Sequence, residues 1–196
     1  MIDINPLLIL FAAIFTNNML LANFLGMCSF IVISNEIDTS LGLGQAVTFV
    51  LTITAVINYF IYHYVLVPLD LEYIRFIIFI VVIAAFVQLV EMIVSRYFEN
   101  LYYSLGVFLP LITVNCAILG TSLFMVIRKY GLIQSICFSF GSGVGWTLAI
   151  VIMAGIKQQL KNAPIPEGLK GASITFITTG IMALAFFGFS GIVSIQ

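Results

Sequence analysis

Two cysteines lie inside apolar sequence, each next to residues that interrupt helices. Cys28 closes the stretch Phe24-Leu25-Gly26-Met27-Cys28, and Cys116 closes Leu109-Pro110-Leu111-Ile112-Thr113-Val114-Asn115-Cys116. A free cysteine in such a setting can pack as a small hydrophobe. As a thiolate it is instead a ligand for zinc or for an iron–sulfur cluster. Glycine, proline and asparagine beside it point to the second use, because a helix break frees backbone N–H groups that can stabilise charge on sulfur where water is scarce. Two thiolates supply only half of the usual cluster ligation. A second copy or a similar polypeptide would have to bring the rest. Tetrahedral zinc has the same arithmetic, but a redox-inert ion gives no reason for a position in mid-membrane. A disulfide between the two is a further alternative.

Other candidates are weaker. Glu91 is the only carboxylate inside an expected span, where an ionisable group is costly and suggests a cation path or gate. Arg96 is close by in sequence, so an anchoring pair near the interface competes with that use. The run Gly141-Ser142-Gly143-Val144-Gly145 has dinucleotide-like spacing, but no strand precedes it and no acid follows at the required distance. Glycines on a helix face that let two backbones approach are the better account. His63 stands alone at an interface, and Cys137, with no counterpart in the first half, reads as packing.

The elements that must position these residues follow from composition. Of 196 residues, 62% are hydrophobic and only 8% are charged, with a mean hydropathy of +1.22. A soluble domain carries about 25% charged residues, so most of this surface must face lipid. Net charge of −1 gives no field for nucleic acid. Three cysteines do not make a secreted disulfide framework. The N-terminal apolar run has no preceding basic region and reads as a retained span, not a cleaved leader.

The hydropathy pattern predicts an all-α polytopic membrane protein with six spans. The first runs from Ile4 to Ile33 and is interrupted by Asn17, Asn18, Asn23 and Gly26. These asparagines either hydrogen-bond between helices or mark a broken or re-entrant helix whose freed backbone lines a site. The second span is Leu41 to about Tyr62, the third about Tyr73 to Val94. The fourth ends near Ile127 and contains Pro110 and Gly120; the fifth is about Leu132 to Ile156, the sixth Gly171 to Val193. The chain reads as a single transmembrane domain, 1–196. Its halves, 1–98 and 101–196, echo each other, with a cysteine late in the first span of each. An odd number of spans per half makes the second enter from the opposite face, as in inverted-repeat transport proteins. Cys28 and Cys116 would then approach a common axis from opposite sides. Arg96, Lys157, Lys161 and Lys170 slightly outnumber Arg75, Arg128 and Lys129 on the other side, which leans toward termini outside the cytoplasm.

Both cysteine stretches belong to a wider resemblance. Phe24 to Cys28, Leu105 to Cys116, Phe140-Gly141-Ser142-Gly143-Val144-Gly145-Trp146 and Gly171-Ala172-Ser173-Ile174-Thr175-Phe176-Ile177-Thr178-Thr179-Gly180 together resemble the E subunit of the bacterial sodium-translocating NADH:quinone reductase. The same family holds the D subunit of that complex and the A and E subunits of the Rnf ferredoxin:NAD oxidoreductase. The resemblance implies a multi-pass component of a six-subunit enzyme in the bacterial inner membrane, not catalytic alone, with termini in the periplasm. It implies a heterodimer with the homologous D subunit that shares one 2Fe–2S cluster, with Cys28 and Cys116 as the ligands supplied here. Electrons would pass from the NADH-oxidising subunit to periplasmic FMN and onward to quinone, coupled to sodium export. NADH, flavins and quinone would be held by other subunits. Glu91 matches a family acid associated with cation uptake. The Ser34-to-Thr39 loop departs from relatives, being acidic where theirs is often lysine-rich. An Rnf-type membrane protein and a stand-alone inverted-repeat secondary transporter are the alternatives.

Overall fold

The computed structural model describes residues 5–34, 37–97, 109–161, 166–169 and 171–188. Over these residues the chain is all-α: α1 (Pro6–Ile14), α2 (Met27–Ile33), α3 (Ile37–Ile61), α4 (Arg75–Tyr97), α5 (Leu109–Thr113), α6 (Cys116–Ile127), α7 (Leu132–Leu160) and α8 (Ala172–Phe187). Four segments, Ile37–Leu66, Glu72–Ile93, Pro110–Ile127 and Leu132–Leu160, are long and apolar enough to cross a membrane. A span needs about 20 apolar residues because an α-helix rises only about 1.5 Å per residue. The chain is a multi-pass membrane helical bundle.

The expected second, third and fifth spans are continuous helices, the second loosening into a π-helical turn at Tyr62–Leu66. The expected first span is not. Residues 15–26 separate α1 from α2, and the fourth span is divided at Val114 and Asn115. The start of the fourth span, over residues 104–108, and the end of the sixth, over 189–193, fall outside the described residues.

α7 is the spine. At 29 residues it is about 43 Å long, and both α1 and α3 pack along it. Its glycines explain how. Gly141 and Gly145, four positions apart, share one face, and Gly143 lies on nearly the opposite one. A Cβ at Gly141 would stand 2.8 Å from the Leu10 carbonyl oxygen, and one at Gly145 would stand 3.0 Å from that of Ile14. A Cβ at Gly143 would stand 2.8 Å from Thr48 Cα. Close backbone packing is therefore what this run does, and it serves two neighbours at once. Thr48 and Thr147 hydroxyls meet at 3.2 Å across the α3–α7 seam.

Trp146, Phe30 and Leu43 are fully buried in the core this arrangement creates. α4 and α8 are peripheral. Only 17% of the apolar stretch of α4 is buried, against 56% for α7. The outward side chains, Ile77, Val81, Leu184 and Phe187 among them, are apolar and exposed, as a lipid-facing or partner-facing surface requires.

Candidate functional site

The first helix break is held by one side chain. Asn18 is 1% exposed. Its Oδ1 accepts from the backbone N–H groups of Leu20 and Leu21, at 3.0 and 3.4 Å. Its Nδ2 donates to the carbonyl oxygens of Gly145 and Ile14, at 2.8 and 3.2 Å. Unwinding a helix in an apolar interior strands backbone donors and acceptors, and Asn18 serves both kinds while fastening the loop to α7. Asn23, by contrast, is exposed and among the described residues reaches only Met19 Sδ, at 3.7 Å. The chain turns into α2 through Phe24 and Gly26, with φ of 55° and 86°.

The second break is capped by Asn115, 2% exposed. Its Oδ1 accepts from Ala117 N–H at 3.0 Å, closing the first turn of α6. Its Nδ2 reaches Ser29 Oγ on α2 at 3.4 Å, and Ser29 Oγ in turn donates to Gly26 O at 3.1 Å. The junction is completed by the Gly26 backbone N–H, which donates to Cys116 Sγ at 2.9 Å. The two breaks thus bind each other across 90 residues of sequence.

Both cysteines stand in the first turns of helices that begin at this junction: Cys28 is the second residue of α2 and Cys116 the first of α6. Cys28 is exposed on the surface of the chain, whereas Cys116 is half-buried and both are free thiols. Gly26 is required for two reasons. Its φ suits only glycine well, and a Cβ there would lie 2.6 Å from Trp146 Nε1 and 3.1 Å from Asn115 Oδ1. Among the described residues no three His, Cys, Asp or Glu side chains gather as a metal cage.

Two cations brace the flanks. With the Asn17 amide oriented to present its oxygen, Oδ1 accepts from Arg128 Nη2 at 2.8 Å and Nη1 at 3.3 Å. The guanidinium stands 5.5 Å from the ring centroids of both Phe124 and Phe138, a cation–π arrangement. At the other end of α7, Lys157 Nζ donates to the Ile31 carbonyl in the last turn of α2, at 3.0 Å. Glu91 lies half-buried on α4, away from this junction in sequence. Arg96 is five positions on, about 140° around the helix, and among the described residues no ion pair joins the two. Cys137 is half-buried on α7.

Reading the sequence missed Trp146 as a site residue, along with Ser29 and Arg128. A clue was present for Trp146: it ends a series with Ser135, Ser139 and Ser142 at one helical face.

Comparison with known proteins places the chain in a family. A family profile described as "Rnf-Nqr subunit, membrane protein" matches residues 7–193. The E subunit of the Na(+)-translocating NADH-quinone reductase of Serratia proteamaculans is 54% identical over 186 residues, covering 92% of this chain and 94% of the relative. The protein of that name from Klebsiella pneumoniae is also 54% identical over 186 residues, at the same coverage. The one from Psychromonas ingrahamii is 52% identical over 190 residues, again covering 92% and 94%. A match over nearly the whole length, by the profile and by these relatives alike, means that the chain belongs to the Rnf-Nqr family of membrane subunits.

Proposed function

We propose that this chain is the E subunit of a sodium-translocating NADH:quinone reductase and supplies half of an intramembrane 2Fe–2S site. Cys28 and Cys116 would hold one half and the homologous D subunit the other. The observation that carries this reading is the hydrogen bond from Gly26 N–H to Cys116 Sγ at 2.9 Å. It aims a backbone donor at sulfur inside the bundle, where thiolate or sulfide charge needs such a partner. The exposure of Cys28 supports it too, because a ligand shared between chains must reach the chain's surface. When bound, the cluster would accept and pass on single electrons between the cytoplasmic and periplasmic sides.

What this chain's own residues do follows from their packing. Asn18 and Asn115 hold the two breaks open without leaving buried backbone groups unpaired. Gly26 lets the two half-helices approach, and the buried Trp146 packs against it on the inner side of the junction. In this reading the chain has six spans arranged as two inverted halves, 1–98 and 101–196, in the bacterial inner membrane with periplasmic termini. The two broken segments would enter from opposite faces. NADH, FMN and quinone would be bound by other members of a six-subunit complex. Electron flow from the NADH-oxidising subunit through the site would be coupled to sodium export, with Glu91 on the cation's route.

Iron, acid-labile sulfide and the electron paramagnetic resonance signal of the purified complex test the assignment. Cys28→Ala and Cys116→Ala are each expected to abolish one centre while leaving the NADH-oxidising subunit's own cofactors in place. A full cluster signal in both variants overturns the ligand assignment.

A further inference from the structure

We infer that the inward face of α7 carries a file of bound water running from its N-terminal turn to the cysteine junction. Ser135, Ser139, Ser142 and Trp146 recur at i, i+4, i+7 and i+11, which places them in one stripe. They are 1%, 0%, 0% and 0% exposed. Among the described residues none of the three hydroxyls has a hydrogen-bond partner, and neither has Trp146 Nε1. The stripe lies between the α7 face that meets α1 at Gly141 and Gly145 and the face that meets α3 at Gly143 and Thr147. It therefore points into the bundle, over about 16 Å of helix. On α3, Asn58 is a separate buried polar side chain. It is 0% exposed, its Nδ2 donates to Ser122 Oγ at 2.9 Å, and its Oδ1 has no partner among the described residues.

A helical hydroxyl has an easy remedy for burial, which is to turn back onto the carbonyl four residues earlier. Thr48, Thr54, Thr121, Ser122 and Thr147 all do so, at 2.7–3.1 Å. The α7 serines do not. Buried polar groups left in this state are taken up by internal water, each molecule making about three hydrogen bonds.

The mixture of groups selects the ligand. Hydroxyls donate and accept, and the Trp146 N–H only donates. A cation would satisfy the oxygens and leave the indole N–H unmet, and the stripe holds no carboxylate to balance its charge. Water satisfies every member. The file ends where Trp146 Nε1 lies against Gly26, whose N–H holds Cys116 Sγ, so it brings polarity to the sulfur from within the chain. This inference concerns the chain's own interior and stands apart from the cluster assignment.

X-ray radiolysis of the intact complex tests it, because hydroxyl radicals form where water sits and oxidise adjacent side chains. Trp146 is expected to be oxidised several-fold faster than fully buried Phe79 once intrinsic reactivity is allowed for. Combining Ser139→Ala with Ser142→Ala is expected to slow that labelling several-fold. Trp146 as protected as Phe79, or labelling indifferent to the two alanines, overturns the proposal. Melting temperature gives a second reading with Ser142→Ala alone. A dry, unpartnered hydroxyl raises stability when deleted, whereas removing a water's partner lowers it. A fall is expected, and a rise overturns the file.

Discussion

The backbone N–H of Gly26 and the Sγ of Cys116 lie 2.9 Å apart, and this contact joins two interrupted helices that are distant in sequence. Gly26→Ala attacks it from two sides. A non-glycine residue in the left-handed region costs about 1–2 kcal/mol, and the added methyl would press on Trp146 Nε1 and Asn115 Oδ1, an overpacking cost of about 1–3 kcal/mol. The expected outcome is a complex that assembles poorly and carries less iron than the parent. Gly42→Ala is the control, since nothing lies within 4 Å of a Cβ there. A Gly26→Ala complex with parental iron content and melting temperature would show that the junction tolerates a side chain.

The tie from Lys157 Nζ to the Ile31 carbonyl makes a more local prediction. It joins the cytoplasmic-side end of α7, in the proposed orientation, to the short helix α2 that carries Cys28 in its first turn. A cation at a helix C-terminus also complements the dipole there. Lys157→Met keeps the aliphatic stem and removes the ammonium, at a cost of about 1 kcal/mol because the group is partly hydrated. Hydrogen exchange of the α2 amides, Phe30 to Ile33, is expected to quicken while that of central α7 is unchanged. Uniform exchange across the chain would mean that the tie contributes nothing local.

How far these relationships were legible depends on the residues. Cys28 and Cys116 stood out because glycine, proline and asparagine are conspicuous in an apolar run, and their chemistry says that the backbone must be interrupted nearby. Asn18 was visible as one of three asparagines whose role could be either a helix–helix bond or a break. The structure gives it both at once, through Gly145 and through Leu20. What was not legible is which face of α7 meets which neighbour. Gly141 and Gly143 are two residues apart and serve different helices, a division set by the packing of distant segments. Trp146 read as part of a family stretch, and only its approach to Gly26 reveals it as a wall of the cysteine junction. Likewise Arg128, counted only as a loop charge, folds back between two phenylalanines to reach Asn17.

Asn18→Ala should be among the most damaging single changes outside the cysteines. It leaves the Leu20 and Leu21 N–H groups without the side-chain acceptor they have in the bundle. Each buried group so stranded costs about 1–3 kcal/mol, and the break loses its attachment to α7. Asn23→Ala, at an exposed position of the same loop, is expected to be nearly silent. Thermal unfolding of the two complexes in parallel checks this. Equal melting temperatures would mean that solvent or a neighbouring polypeptide can replace Asn18.

Glu91 calls for a functional measurement rather than a structural one. It lies half-buried within the apolar stretch of α4, and the Arg96 side chain projects from another part of the helix surface. A carboxylate placed so in a membrane segment, with no ion pair among the described residues to explain it, suits transient contact with a cation. Glu91→Gln preserves shape and removes the charge. The expected result is a complex with parental iron content and parental oxidation of NADH by an artificial acceptor, but with a higher sodium concentration needed for half-maximal quinone reduction. Parental sodium dependence would remove Glu91 from the cation's route. A loss of assembly in Glu91→Gln, with Glu91→Asp restoring it, would assign the residue to holding α4 in place instead.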